Sequence, residues 1–134
     1  VVEVKSARQR PLILLVDDAL DTLGAWELLL EALGYNVITA DTGAQGLDKA
    51  RAWLPDLVIT DYMMPIMDGL ALCRHLRTDP ALRLIPIILW TSARTTFDDP
   101  PFDSLMLKPT LLEQMAADIR LLLREDIFNR KVLR

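Results

Sequence analysis

Five residues of kinds that handle metal ions and phosphate stand at the ends of apolar runs. Asp17 and Asp18 follow PLILLV, Asp61 follows DLVIT, Thr91 closes IPIILWT, and Lys108 closes SLMLK and is followed by Pro109. Taken singly, each has an ordinary explanation. Asp18 or Asp21 suits the cap of a following helix, Asp61 a turn, Thr91 a strand, and a lysine before proline a solvated loop. Taken together they do not. Two like unit charges about 4 Å apart at an effective dielectric of about 20 repel by roughly 4 kcal/mol, so three gathered carboxylates need a neutralising partner. Mg²⁺ fits that need, because it prefers hard oxygen ligands and is commonly held by one or two carboxylates plus a phosphate. If Asp61 is a nucleophile, the metal would screen its charge from an incoming phosphoryl group. Lys108 and Thr91 would then hold the phosphoryl oxygens from the other side.

Whether the five meet depends on the elements that carry them. PLILLVDD (11–18), DLVIT (56–60) and IPIILWT (85–91) are short, unbroken apolar runs bounded by turn formers, as expected of strands buried on both faces of a parallel sheet. YNVITA (35–40) and SLMLK (104–108) supply two more strands, the first following Gly34, where a left-handed helix C-cap belongs. Apolar residues recur at helical spacing in 23–35, 43–54, 69–77 and 110–125. Strict strand–helix alternation predicts a doubly wound α/β fold. In such folds ligands bind outside the carboxyl ends of the strands, which is where all five residues stand.

Size and charge narrow the reading. The 134 residues, 51% apolar and 25% charged, suit one domain with a full core, expected over 11–125. Residues 1–10 read as a loose leader and 126–134 as a helix extension or tail. A net charge of −4 argues against a nucleic-acid surface spread over the chain. Cys73 is the only cysteine, so no internal disulfide forms, and no stretch is apolar enough for a membrane helix, which together predict a cytoplasmic protein. Cys73 reads as a small core residue and His75 as a solvated side chain rather than a relay histidine. In MMPIMDG, Pro65 fixes a turn, Gly69 relaxes the chain into the next helix, Asp68 suits that helix's N-cap, and the three methionines read as packing over the site.

The set VDD, TDYMMPIMDG, PIILWTSA and LKP resembles the receiver domain of two-component response regulators over about residues 11–125. The resemblance implies a five-stranded parallel sheet in flavodoxin-like order 2-1-3-4-5 flanked by helices. It implies Asp61 as phosphoacceptor, a Mg²⁺ pocket of Asp17, Asp18, Asp61 and the backbone carbonyl of Met63, and phosphoryl contacts from Thr91 and Lys108. It further implies a phosphoacceptor that assists its own phosphorylation and dephosphorylation. The donor would be a sensor histidine kinase or phosphotransfer protein, and the output a downstream protein or domain, with a homodimer among the options. A cis Lys108–Pro109 bond is common in the family.

Departures from the family pattern carry their own expectations. SARTTFDDPPFDSLML, between Thr91 and Lys108, is short and holds Pro100 and Pro101, so the fourth helix should be reduced or absent. Leu105 stands where the family usually has a switch tyrosine or phenylalanine. Phe97 and Phe102 read as a structural plug, and Trp90 as filling volume the missing helix leaves. Met63 and Ala93, at the positions that govern water access to an acyl phosphate in the family, cannot orient a water by hydrogen bonding, which predicts slow self-dephosphorylation. The altered switch segment leaves a second function open: an interaction module with the receiver fold that works without phosphorylation. An aspartyl phosphatase is a distant third, because no general acid accompanies Asp61.

Overall fold

The structure, a computed structural model, describes residues 10–132, with side chains to residue 123. The leader expected over 1–10 therefore lies, except for Arg10, outside the described residues. Five strands and four helices follow one another in the order β1 (Leu12–Val16), α1 (Leu20–Ala32), β2 (Asn36–Ala40), α2 (Gly43–Trp53), β3 (Leu57–Asp61), α3 (Gly69–Thr78), β4 (Ile87–Thr91), β5 (Ser104–Leu107) and α4 (Leu112–Val132). All neighbouring strands pair in parallel and the sheet order is β2-β1-β3-β4-β5. The expected fold class holds, with the predicted boundaries shifted by a few residues, most at α1 and α4.

The three central strands are buried along their whole length, which is why their sequences show no polar alternation. Alternate side chains feed two cores. Leu14, Val16, Val58, Ile87 and Leu89 pack against Leu47 and Ala50 of α2 and Leu72, Cys73 and Leu76 of α3. Ile13, Leu15, Leu57, Ile59, Ile88 and Trp90 pack on the opposite face against Leu23 and Leu30 of α1 and Met115, Ile119 and Leu123 of α4. Cys73 is a core residue, as expected, and burial pushes its thiol up to about 12, so it is inert. Gly34 takes φ +101° just beyond α1, the left-handed position its sequence context predicted. Leu54 caps α2 in the same conformation at φ 49° without being glycine, which no sequence signal announced.

No helix forms between β4 and β5. Phe97 and Phe102 instead pack onto the core shared with α2 and α3, in an edge-to-face chain from Tyr62 to Phe97 to Phe102 with centroids 5.3 Å apart at each step. They are the plug expected of them. Trp90 is not: its side chain lies on the opposite face, beside Trp26, so the aromatic pair and not Trp90 occupies the space of the missing helix. Coverage is incomplete toward the sheet edge. Leu105 and Leu107, register partners of Leu89 and Thr91, stay more than one-third exposed.

Arg77 pins this segment. Its guanidinium donates to the Pro101, Arg83 and Ile85 carbonyls and to Asp103 Oδ2, and Asp103 Oδ2 also accepts from Ile87 N. Five donors in a rigid fork can serve so many carbonyls at once, where a lysine cannot. Replacing Arg77 with methionine removes all four bonds and leaves Asp103 Oδ2 with Ile87 N alone. The expected loss is about 2–3 kcal/mol, read as a lower urea midpoint at unchanged slope. A midpoint equal to the parent's would show that the aromatic pair alone holds the segment.

Candidate functional site

The carboxyl ends of β1, β3 and β4 and the residue after β5 converge, as the crevice rule requires. β1 delivers Asp17, which is 1% exposed, and the next residue, Asp18, stands in the solvent. β3 ends in Asp61, 7% exposed, and β4 in the fully buried Thr91. One oxygen from each of Asp17, Asp18 and Asp61 lies within 4.8 Å of the other two. Lys108 Nζ reaches across the sheet end to Asp17 Oδ2 at 2.7 Å and Asp61 Oδ1 at 3.3 Å. The sequence-predicted side chains are thus brought together. Thr91 joins them through the backbone, since its carbonyl accepts from Lys108 N at 2.8 Å, while its hydroxyl oxygen accepts from Ala93 N.

Neither Asp18 nor Asp61 serves the cap or turn role open to it. Asp18 does not cap α1, whose N-cap is Ala19 with no side-chain hydrogen bond; instead Asp17 Oδ1 accepts from Ala19 N. Asp61 does not make the following turn, because the turn is closed by Gly69 N donating to Tyr62 O. Asp68, in contrast, caps α3 as expected, accepting from Ala71 N at 2.8 Å. Three carboxylates against one ammonium leave a formal charge of −2 (−3 + 1) at a largely buried strand end. A hard, oxygen-seeking divalent cation suits that donor set. Burial pushes the Asp61 carboxyl up; Lys108 opposes that and Asp17 adds to it.

The loop after β3 is shaped by close approach. A Cβ on Gly69 would stand 2.0 Å from the Asp61 carbonyl, and one on Gly43 would stand 2.6 Å from the Met67 carbonyl, so the N-termini of α2 and α3 clamp the loop from two sides. Ile66 sits at its tip at φ 70°, a strained setting for a β-branched residue, with Met67 N donating to Pro65 O across it. Met64 is buried and Met67 packs against the core, but Met63 is 63% exposed, so only two of the three methionines pack as expected. Met63 lies two residues past Asp61. The Lys108–Pro109 bond is cis. His75 is exposed on α3, away from these strand ends.

One contact has no local signature among the residues. Lys108 Nζ lies over the ring of Trp90, 4.4 Å from its centroid. Its one trace is a bulky aromatic beside Thr91, which faces the lysine instead of filling the space of the absent helix.

Comparison with known proteins agrees with this geometry. Residues 13–100 match the response regulator receiver domain family. This chain belongs to the response regulator receiver family. It is 38% identical over 119 residues to the response regulator ArlR of Staphylococcus aureus, covering 85% of this chain and 53% of that one. The chain therefore spans about half the length of the curated relatives it matches. Among solved structures it resembles the N-terminal domain of a response regulator receiver protein from Methanoculleus marisnigri (35% identity, TM-score 0.69, 82% of this chain and 94% of that one). It also resembles the signal receiver domain of a signal transduction histidine kinase from Syntrophus aciditrophicus (32%, TM-score 0.76, 86% and 91%). The family match ends at residue 100, and β5, with Lys108 directly after it, pairs with β4 beyond it. Receiver domains are phosphoacceptors of two-component signalling that bind Mg²⁺ through an acidic pocket, and Asp17, Asp18 and Asp61 form such a pocket here. Among the described residues no helix is long and apolar enough to cross a membrane.

The Asp61 shift fixes a sign. A carboxyl whose folded pKa is raised binds its proton more tightly when native, so its charged form opposes folding at neutral pH, and that cost fades as pH falls through the raised value. In metal-free buffer at pH 7, Asp61→Asn should raise Tm. The advantage should shrink on acidification toward the ordinary carboxylate range. A variant less stable than the parent at pH 7 would mean that the Lys108 ion pair outweighs burial.

Proposed function

We propose that this domain accepts a phosphoryl group on Asp61 from a phosphohistidine of a sensor kinase or phosphotransfer protein and thereby switches a protein–protein interaction. The observation that carries the reading is the gathering of three carboxylates at the strand ends, two of them bonded by one ammonium. Asp17, Asp18, Asp61 and the Met63 carbonyl would hold Mg²⁺, which when bound offsets the charge of the carboxylates and of the phosphoryl oxygens. Asp61 is the nucleophile by position. Its carboxylate oxygen attacks phosphorus, the P–N bond of the donor breaks, and the bonding pair returns to the imidazole.

Lys108, already 3.3 Å from Asp61 Oδ1, would exchange that carboxylate oxygen for a phosphoryl oxygen, keeping its charge at the reacting centre. Thr91 would donate its hydroxyl proton to another phosphoryl oxygen, since its oxygen already accepts from Ala93 N. The domain would thus assist its own phosphorylation and dephosphorylation, with the receiver unit over 11–125 and residues 126–134 leading to an output domain or a dimer seam. The stretch between β4 and β5 is atypical for the family. With Leu105 at the usual switch-aromatic position, output would leave through a different surface or an altered one.

The pinned, helix-free segment supports the second reading, an interaction module independent of phosphorylation. Beryllofluoride with Mg²⁺ separates the two. Under the first reading it raises Tm, because a ligand of the native state stabilises by mass action; under the second it changes nothing. Acetyl phosphate with Mg²⁺ should label the parent once and leave Asp61→Asn unlabelled, with intact-mass spectrometry as the readout. Label on the asparagine variant would move the acceptor elsewhere. The purified phosphoprotein should hold its label for minutes or longer, because neither the Met63 nor the Ala93 side chain can orient an attacking water. Loss within seconds would contradict that assignment.

A further inference from the structure

We infer that Trp90 is the positioning residue for Lys108: its indole face holds the ammonium at the carboxylate cluster. The kinetic part of this rests on the phosphoacceptor reading above; the contact itself does not. Lys108 Nζ stands 4.4 Å from the Trp90 ring centroid while it bonds Asp17 and Asp61, so the cation has carboxylates on one side and an aromatic face on another. Tryptophan offers the strongest face of the aromatic side chains for this attraction, and partial burial strengthens it. Without such a wall, a four-carbon stem with a well-hydrated head has many rotamers leading back to water. The Lys108 side chain keeps 23% of its exposure, so those routes are open on its remaining sides.

The ring is itself held firmly. Trp90 is 2% exposed and is the β4 residue in register with Asp61. Trp26 packs edge-to-face with it at 5.3 Å and 79°. Its Nε1–H donates to Thr110 Oγ1 at 3.1 Å, and the Thr110 hydroxyl donates to Leu107 O at 2.6 Å. Trp90 is thereby tied to the residues on both sides of Lys108 and Pro109. An aliphatic residue would fill the volume but offer the cation no face. Phenylalanine would keep a face and lose only the Thr110 bond.

The contact is read first, in protein labelled with 5-fluorotryptophan and free of metal and phosphodonor. The ¹⁹F signal of Trp90, identified by its loss in Trp90→Phe, should shift on Lys108→Met and move back toward its parent position on Lys108→Arg, while that of Trp53 stays put. The consequence is read as the rate of acetyl phosphate labelling at saturating Mg²⁺. Trp90→Leu should slow it about 3- to 10-fold, and Trp90→Phe should recover most of the loss. A Trp90 signal indifferent to Lys108→Met overturns the proposal, and so do Leu and Phe variants that label at one rate. The ¹⁹F measurement needs no Trp90 variant beyond the assignment, so it decides the contact even if Trp90→Leu fails to fold. A parent that takes no label at all contradicts the phosphoacceptor reading instead, and the ¹⁹F shift then still decides whether Trp90 holds Lys108.

Discussion

Unbalanced negative charge at the end of a buried parallel sheet is the constraint on which the rest of this structure turns. Two largely buried carboxylates and one exposed one share the crevice with a single ammonium. Removing charge from water is costly, and like charges side by side add to that cost, so a protein keeps such a set only where something else repays it. Much of the surrounding architecture serves to hold these groups in place. β1 and β3 are adjacent and parallel, which brings their C-terminal acids side by side. Gly69 lets α3 begin against the Asp61 backbone, and Gly43 lets α2 clamp the loop between them. Lys108 is brought in from the sheet edge by pairing of β5 with β4 and by its own amide bonding Thr91.

Much of this was legible in the residues themselves. Short apolar runs bounded by turn formers, such as LILLV and LVI, read as central strands, and their common habit of leading into a polar group pointed to the crevice. Asp68 as a cap and Gly34 as a left-handed residue followed from local chemistry that tertiary packing did not override. What escaped was long-range. Nothing local distinguishes a Trp90 that fills a void from one that faces Lys108, because the answer depends on which sheet face its strand position addresses. Met63 was grouped with Met64 and Met67, yet the tight turn around Ile66 leaves it outside while its neighbours pack in. Local chemistry explains glycine at 69 by freedom of φ; its sharper cause is the absence of room for a Cβ.

The two faces of the sheet solve their packing differently. One face has two full helices, α1 and α4, with Trp26 and Trp90 between sheet and helix. The other has α2 and α3 but lacks a helix over its edge, where an aromatic pair and a guanidinium with four acceptors take over. Pro100 and Pro101 make that substitution intelligible, since neither can donate the backbone hydrogen bond a helix interior requires. The cost is a β5 whose Leu105 and Leu107 remain partly uncovered. The lysine of the carboxylate cluster lies against an aromatic ring on the other face.

The central claim is that the three carboxylates form one cation site, and a Mg²⁺ titration of the metal-free protein followed by amide NMR tests it most directly. The expected result is saturable, single-site shifts centred on residues 17–19 and 61–64, abolished by Asp18→Asn, a change at an exposed side chain. Shifts scattered over the acidic surface without saturation, or a site that survives loss of Asp18, would contradict it.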